Sequence, residues 1–176
     1  MSRRRAVFFD RDGVLNAAPL RAGKPVSPRV PAELRIERDA PAAADRLRAH
    51  GFLLFAVTNQ PDVARGYLGQ TDLDAMMRAV SDTVKLDDYR VCTHDDGDGC
   101  ACRKPRPGMI TELASRWDVD LPQSFVVGDT ARDVGAGRAA GCTTVLLRRS
   151  YNGDVGADVV VDTLHAAAAA IVERSG

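Results

Sequence analysis

A doubly wound α/β fold, a mostly parallel sheet with helices on both faces, is what this 176-residue sequence predicts. Three observations carry that prediction. Five short runs are apolar or nearly so: Ala6–Phe9, Phe52–Val57, Phe125–Val127, Thr143–Leu147 and Val159–Val161. Strands buried on both faces read this way, and such burial belongs to parallel sheets. Segments of helical composition or period lie between the runs, at Ala40–His50, Thr71–Leu86, Gly108–Trp117 and Arg132–Ala140. Finally, polar clusters follow three of the runs directly, and ligands of open α/β sheets sit beyond the carboxyl ends of the strands. The expected architecture is Rossmann-like, one layered domain over residues 1–176.

The elements follow in order. The first strand comes after a basic stretch, Met1–Arg5, which no apolar signal-peptide core extends. Ala17–Ile36, rich in Pro and Arg, reads as one long irregular segment. Gly51 and Gly141 stand where helices end in a left-handed residue. Thr71 with Asp74 resembles a helix start, Asp72 and Asp74 suiting the positive end of the dipole. Ala166–Ala170 reads as helix, because alanine is the best helix former. Trp117 and the aliphatic stripes are core, Cys142 is a small buried residue, and His50 and His165 are ordinary helix-end or surface residues.

Composition narrows the function. Formal net charge is zero, so no overall field favours nucleic acid or an anionic membrane. Runs such as Ala166–Val172 are far below the roughly 20 residues of a bilayer span. The expectation is a cytoplasmic, monomeric protein whose partner is a small metabolite.

Three strands deliver chemistry to one sheet edge. Asp10-Arg11-Asp12-Gly13 follows the first, Thr58-Asn59-Gln60 the second, and Gly128-Asp129 with Asp133 the third. Asp10, Asp12, Asp129 and Asp133 would converge, and clustered carboxylates repel one another unless a cation is present. A hard oxygen-coordinated ion such as Mg²⁺ fits, since it takes one or two carboxylates plus waters and phosphate oxygens. Lys104 is the cation expected to meet a phosphoryl group, with Thr58 and Asn59 donating hydrogen bonds to it. The chemistry inferred is two-step phosphoryl transfer with Asp10 as nucleophile. Asp12, its pKa raised by like charges and partial burial, would protonate the leaving alcohol and then deprotonate water.

These motifs resemble a known family. DRDGVLN at Asp10–Asn16, TNQ at Thr58–Gln60, CRKPRPG at Cys102–Gly108 and GDTARD at Gly128–Asp133 resemble the haloacid dehalogenase superfamily of phosphatases. Ala64–Gly66 and the Cys-His cluster resemble its capless branch, which holds heptose 1,7-bisphosphate 7-phosphatases and histidinol-phosphate phosphatases. The resemblance implies Asp10 as nucleophile and Asp12 as acid/base, with the Asp12 carbonyl also on Mg²⁺. It implies Asp129 as a direct metal ligand, Asp133 as a carboxylate near the metal or Lys104, and Arg103 in substrate recognition. Fewer than fifty residues separate Asp10 from Thr58, and Thr58 from Lys104, so no cap domain fits. Two departures, Pro61-Asp62 and the short loop from His94 to Cys100, fall near the non-phosphate part of the substrate.

Cys92, His94, Cys100 and Cys102 pair ligands two apart, so each pair points to one side of an extended chain. Four protein ligands close a tetrahedral site, which makes the expected Zn²⁺ structural, in a loop at about residues 92–102. Gly97 and Gly99 would let the loop turn back, while Asp95, Asp96 and Asp98 would form its solvated face. Set against small-molecule phosphomonoester hydrolysis are a polynucleotide end phosphatase and an inactive binding module. The first lacks a basic aromatic stripe, and the second leaves the Asp10, Asp12, Lys104 and Asp129 set without a purpose.

Overall fold

The computed structural model describes residues 3–176; Met1 and Ser2 of the basic stretch lie outside the described residues. At the centre of a six-stranded sheet is β1, Ala6–Phe9, every residue of it buried. It pairs in parallel with Leu53–Asn59 (β4) on one side and Phe125–Gly128 (β6) on the other, Phe8 lying opposite Phe55 and Val126. Asp88–Cys92 (β5) adds outside β4, and Thr143–Leu147 (β7) and Val159–Val161 (β8) outside β6. The strand order is β5-β4-β1-β6-β7-β8, and all pairings are parallel.

Successive side chains of a strand face opposite ways, and the core divides accordingly. Val7 and Phe9 pack in one cluster with Ala40–Ala49 (α1), Gln70–Val84 (α2) and Leu164–Arg174 (α5). Ala6 and Phe8 pack in the other with Gly108–Trp117 (α3) and Ala131–Ala140 (α4). Helices therefore cover both faces, which is the doubly wound arrangement. The chain reverses direction across the sheet between β4 and β6, so a crevice opens at the carboxyl end of β1.

The sequence reading meets three differences here. The strand Asp88–Cys92 was not expected: Asp88, Arg90 and half-buried Tyr89 suit an edge position, and Asp88 accepts from Trp117 Nε1 at 3.0 Å. Within the Ala17–Ile36 stretch, Leu20–Arg21 (β2) and Lys24–Pro25 (β3) form a small hairpin. Helix α2 starts at Gln70, one residue before Thr71, and closes with Lys85 left-handed at φ 58°. Gly51 and Gly141 do take left-handed conformations, both at φ 82°. The stretches between β1, β4 and β6 hold the sheet's own elements and the small hairpin, with no cap domain among the described residues. No helix among them is long and apolar enough to cross a membrane.

Candidate active site

Because β1, β4, β5 and β6 run parallel, their carboxyl ends deliver Asp10, Thr58, Asn59, Cys92 and Asp129 to one edge. Asp133 joins them from the first turn of α4, where it forms a capping box with Thr130; its Oδ2 accepts from the Thr130 and Asp129 amides. Asp10, Asp129 and Asp133 each offer an oxygen within 4.8 Å of the others. The buried ammonium of Lys104 lies among them, donating to Asp10 Oδ1 at 2.8 Å, Asp133 Oδ1 at 2.6 Å and the Val57 carbonyl at 2.8 Å. One lysine does not balance three carboxylates. Burial and the charge of Asp133 push Asp10 well above the usual carboxylate range, Lys104 opposing them. The same two causes push Asp129 up to about 6, against the hydrogen bond it receives from Tyr151.

A hard cation fits this donor set. Three buried side-chain oxygens accept no hydrogen bond among the described residues: Asn16 Oδ1, Gln60 Oε1 and Asp129 Oδ1. Of these, only Asp129 Oδ1 is a carboxylate oxygen of the acidic cluster, and its other oxygen is held by the Tyr151 hydroxyl at 2.5 Å. Gly13, left-handed at φ 82°, keeps the space beside it open. A Cβ there would stand 2.1 Å from Asp129 Oδ2 and 2.5 Å from the Tyr151 hydroxyl. The loop after β7 secures the arrangement, with Asn152 Nδ2 on the Asp129 carbonyl at 2.8 Å and Arg149 Nε on the Gly13 carbonyl at 2.9 Å.

Asp12 behaves differently from the expectation of a raised pKa. Its carboxylate is not part of the close acidic group; it rests on the fully buried Arg11, with Nε to Oδ1 at 2.9 Å. Asn16 donates to it at 3.0 Å, Ser27 at 2.7 Å and Gln60 at 2.8 Å. Burial raises its pKa, but the Arg11 charge and these hydrogen bonds outweigh that and hold it below the ordinary value. As held here Asp12 accepts from four donors, and the expectation of a raised pKa is corrected.

Thr58 is buried, its hydroxyl oxygen accepting from Gln60 Nε2 at 2.9 Å, which leaves its own proton free to donate. Asn59 takes a role the sequence did not suggest. Its carboxamide clamps the Lys104 backbone at both groups, donating to the carbonyl at 3.1 Å and accepting from the amide at 3.0 Å.

Cys92, His94, Cys100 and Cys102 come together with no disulfide among them. Cys92 Sγ lies 3.7 Å from Cys100 Sγ and 3.2 Å from Cys102 Sγ, and His94 Nδ1 lies 3.3 Å from Cys102 Sγ. With Zn–S near 2.3 Å a tetrahedral edge is roughly 3.7 Å, so the four atoms fit around one ion. Gly99 is left-handed at φ 65°, closing a turn at Asp96–Asp98. Asp96 and Asp98 of this turn are exposed, as a solvated face would be, but two of its carboxylates are engaged. Asp95 takes Arg65 at both oxygens (2.6 and 2.8 Å), and Asp96 takes Arg103 Nε at 2.8 Å.

Above these groups is a cleft of about 300 Å³, lined by Asp10, Asp12, Lys104 and Asp129 at its base and by Arg29, Asp62, Arg65, Arg103 and Arg132 on its walls.

Comparison with known proteins places this geometry. The Hydrolase_like family model, described as HAD-hydrolase-like, matches residues 101–167. The D-glycero-beta-D-manno-heptose-1,7-bisphosphate 7-phosphatase of Rhodopseudomonas palustris is 41% identical over 151 residues, covering 79% of this chain and 81% of that protein. The chain belongs to the haloacid dehalogenase superfamily. A superfamily relative from Mycobacterium tuberculosis, D-glycero-alpha-D-manno-heptose-1,7-bisphosphate 7-phosphatase, is 33% identical over 97% of this chain and 93% of its own. Among solved structures, the D,D-heptose 1,7-bisphosphate phosphatase of Bordetella bronchiseptica, complexed with magnesium and phosphate, superposes with a TM-score of 0.83. It is 31% identical over 97% of this chain and 99% of that one.

Of the residues named from sequence, this superfamily member brings Asp10, Lys104, Asp129 and Asp133 into one buried group, with Asp12 beside them and Thr58 joined to Asp12 through Gln60. Arg103 lines the cleft but is 5% exposed, its guanidinium turned to Asp96 and the His94 carbonyl. Sequence reasoning missed Arg11, Gln60, Tyr151 and the Arg29–Asp62 pair. Arg11 and Gln60 lie inside recognised motifs and offered a signal; Tyr151 and Arg29 lie in loops without periodicity and offered none.

Proposed function

We propose that this chain is a Mg²⁺-dependent phosphomonoesterase that removes the 7-phosphate of a heptose 1,7-bisphosphate by way of a phosphorylated Asp10. The observation that carries the reading is the buried Lys104, shared by Asp10 and Asp133 beside an Asp129 oxygen with no hydrogen bond. The names of relatives at 33% and 41% identity supply the substrate class.

Asp10, Asp129 and Asp133 would hold Mg²⁺, with the Asp12 carbonyl as the superfamily resemblance implies. Bound there, the ion would neutralise charge on the phosphoryl oxygens and keep the carboxylates ionised. The rest falls to the chain's own groups. Asp10 attacks phosphorus as the P–O bond to the sugar breaks, and Lys104 stays within reach of both the nucleophile and the equatorial oxygens. The Thr58 hydroxyl, its lone pair engaged by Gln60, keeps a proton to donate to the phosphoryl group. Asp12 passes a proton to the leaving oxygen, then takes one from the water that cleaves the acyl phosphate. Held low by Arg11, it suits the second of these tasks at once. For the first it takes up a proton as the anionic substrate arrives, because a nearby like charge raises a carboxylate pKa. Asn59 positions Lys104, and Arg103, held by Asp96, lines the cleft where the sugar part of the substrate would lie. Zn²⁺ on Cys92, His94, Cys100 and Cys102 would be structural, joining β5 to the segment that carries Arg103 and Lys104. Thiols gathered for a metal and not for disulfides suit a reducing compartment, the cytoplasm.

The test is Mg²⁺-dependent phosphate release from both anomers of heptose 1,7-bisphosphate, histidinol phosphate and other sugar phosphates, with Asp10→Asn as control. Turnover of a heptose bisphosphate, lost in Asp10→Asn, is expected. Turnover that survives Asp10→Asn would sink the mechanism, and a preference for another compound would sink the substrate.

A further inference from the structure

The proposed substrate carries a second phosphate that does not react, and the cleft holds four arginines that could meet it. They are not equivalent. Arg65 gives Nε and one terminal nitrogen to Asp95, and its other terminal nitrogen stands 3.8 Å from Asp62. Arg103 gives Nε to Asp96 and a terminal nitrogen to the His94 carbonyl. Arg132 is half exposed and 3.7 Å from Asp96, outside hydrogen-bonding distance, so nothing fixes its position.

Arg29 alone among them is both fixed and open. Its Nε donates to Asp62 Oδ2 at 2.7 Å, and its guanidinium carbon lies 4.3 Å from the centre of the Tyr67 ring. The Arg29 amide is tied to Glu33 Oε2 at 2.8 Å, which anchors the backbone. With Nε engaged and the guanidinium seated over the Tyr67 ring, the head of the side chain is held in place. Its two terminal nitrogens make no hydrogen bond among the described residues, and the side chain lines the cleft. Two parallel N–H groups on a held guanidinium are the geometry that grips a phosphate bidentately.

Asp62 otherwise makes little sense in a cleft for an anion. A nearly buried carboxylate there would repel the substrate, unless its charge is engaged elsewhere. Its pairing with Arg29 removes that repulsion and aims the arginine.

We infer that Arg29, aimed by Asp62, is the residue that selects substrates bearing a second, non-reacting phosphate. Arg29 would contact that phosphate, and Asp62 is a positioning residue acting through Arg29. This rests on the phosphatase reading above.

The test is a double-mutant cycle of Arg29→Ala and Asp62→Ala, read on heptose 1,7-bisphosphate and heptose 7-phosphate. The quantity compared is the ratio of kcat/KM for the bisphosphate to that for the monophosphate. Arg29→Ala should lower the ratio at least about tenfold, chiefly through KM. Asp62→Ala should lower it by less, and should have no further effect once Arg29 is gone. Arg29→Lys, which keeps the charge and loses the fork, should recover only part of the ratio. Melting curves check that each variant is folded. If the wild type hydrolyses neither sugar phosphate, the phosphatase reading fails and takes this inference with it. If it hydrolyses both and the variants leave the ratio unchanged, or the two single losses simply add, the inference alone is overturned.

Discussion

Withdrawing Mg²⁺ should leave a pH-dependent instability written into Asp129. The carboxyl stands at about 6 in the folded protein, pushed there by burial and by Asp133, against an ordinary 3.8. A difference of roughly two units corresponds to about 3 kcal/mol between the two protonation states. The sign follows from linkage. Between about 4 and 6 the folded state holds a proton that the unfolded state has lost, so stability falls as pH rises through that window. Above it the cost of an ionised, uncompensated Asp129 is fully present, and Asp10 adds to it in the same direction. A dication binding the ionised carboxylates removes that cost. Melting temperature should therefore respond weakly to added Mg²⁺ near pH 5 and strongly near pH 7.5, the difference reaching at most about 6–12 °C for a chain of this size. The protein should be freed of Mg²⁺ by desalting, since a chelator would also attack the thiolate site. Asp129→Asn should flatten the pH slope and abolish the Mg²⁺ response. The same Mg²⁺ shift at both pH values, or a wild-type pH slope retained in Asp129→Asn, would refute the reasoning.

Three other outcomes follow from the same geometry. Tyr151→Phe frees Asp129 Oδ2 and lets the carboxylate rotate, so Mg²⁺ affinity by calorimetry should fall about tenfold or more, with kcat recovered at saturating Mg²⁺. Gly13→Ala places a methyl 2.1 Å from Asp129 Oδ2 on a left-handed backbone, and should lose Mg²⁺ binding as well as at least about 1 kcal/mol of stability by denaturant titration. Elemental analysis should find one zinc per chain, lost in Cys102→Ser together with several degrees of melting temperature; intact stability without zinc would count against the site.

Much of the fold was legible because parallel strands announce themselves. Ala6–Phe9 and Phe125–Val127 have no polar residue to blur them, as burial on both faces requires. The edge strand Asp88–Cys92 escaped because one side has no neighbouring strand: Asp88 and Arg90 serve each other there at 3.0 Å, and the run loses its apolar signature. The Leu20–Pro25 hairpin escaped for a related reason. It has only two paired residues on each side, too few for any period to register.

The site was legible to the extent that strand ends deliver it. Asp10, Thr58 and Asp129 sit at or just past the ends of β1, β4 and β6, so finding the strands found the residues. Asp12 shows where that logic stops. Four carboxylates near one edge suggest mutual repulsion, yet adjacent Arg11 turns inward and takes Asp12 as its partner. Asn16, Ser27 and Gln60 then complete a shell drawn from two separate loops. The sign of a pKa shift depends on these cross-chain contacts, which no spacing rule contains. The cleft walls repeat the lesson, for Arg29 with Asp62 and Arg65 with Asp95 pair residues about thirty positions apart. Zero net charge concealed them: a chain whose arginines and aspartates cancel overall can still present a basic wall wherever a carboxylate engages only one nitrogen of its guanidinium partner. Net charge therefore excluded a long-range field, as it should, and was silent on the local one that binds an anion.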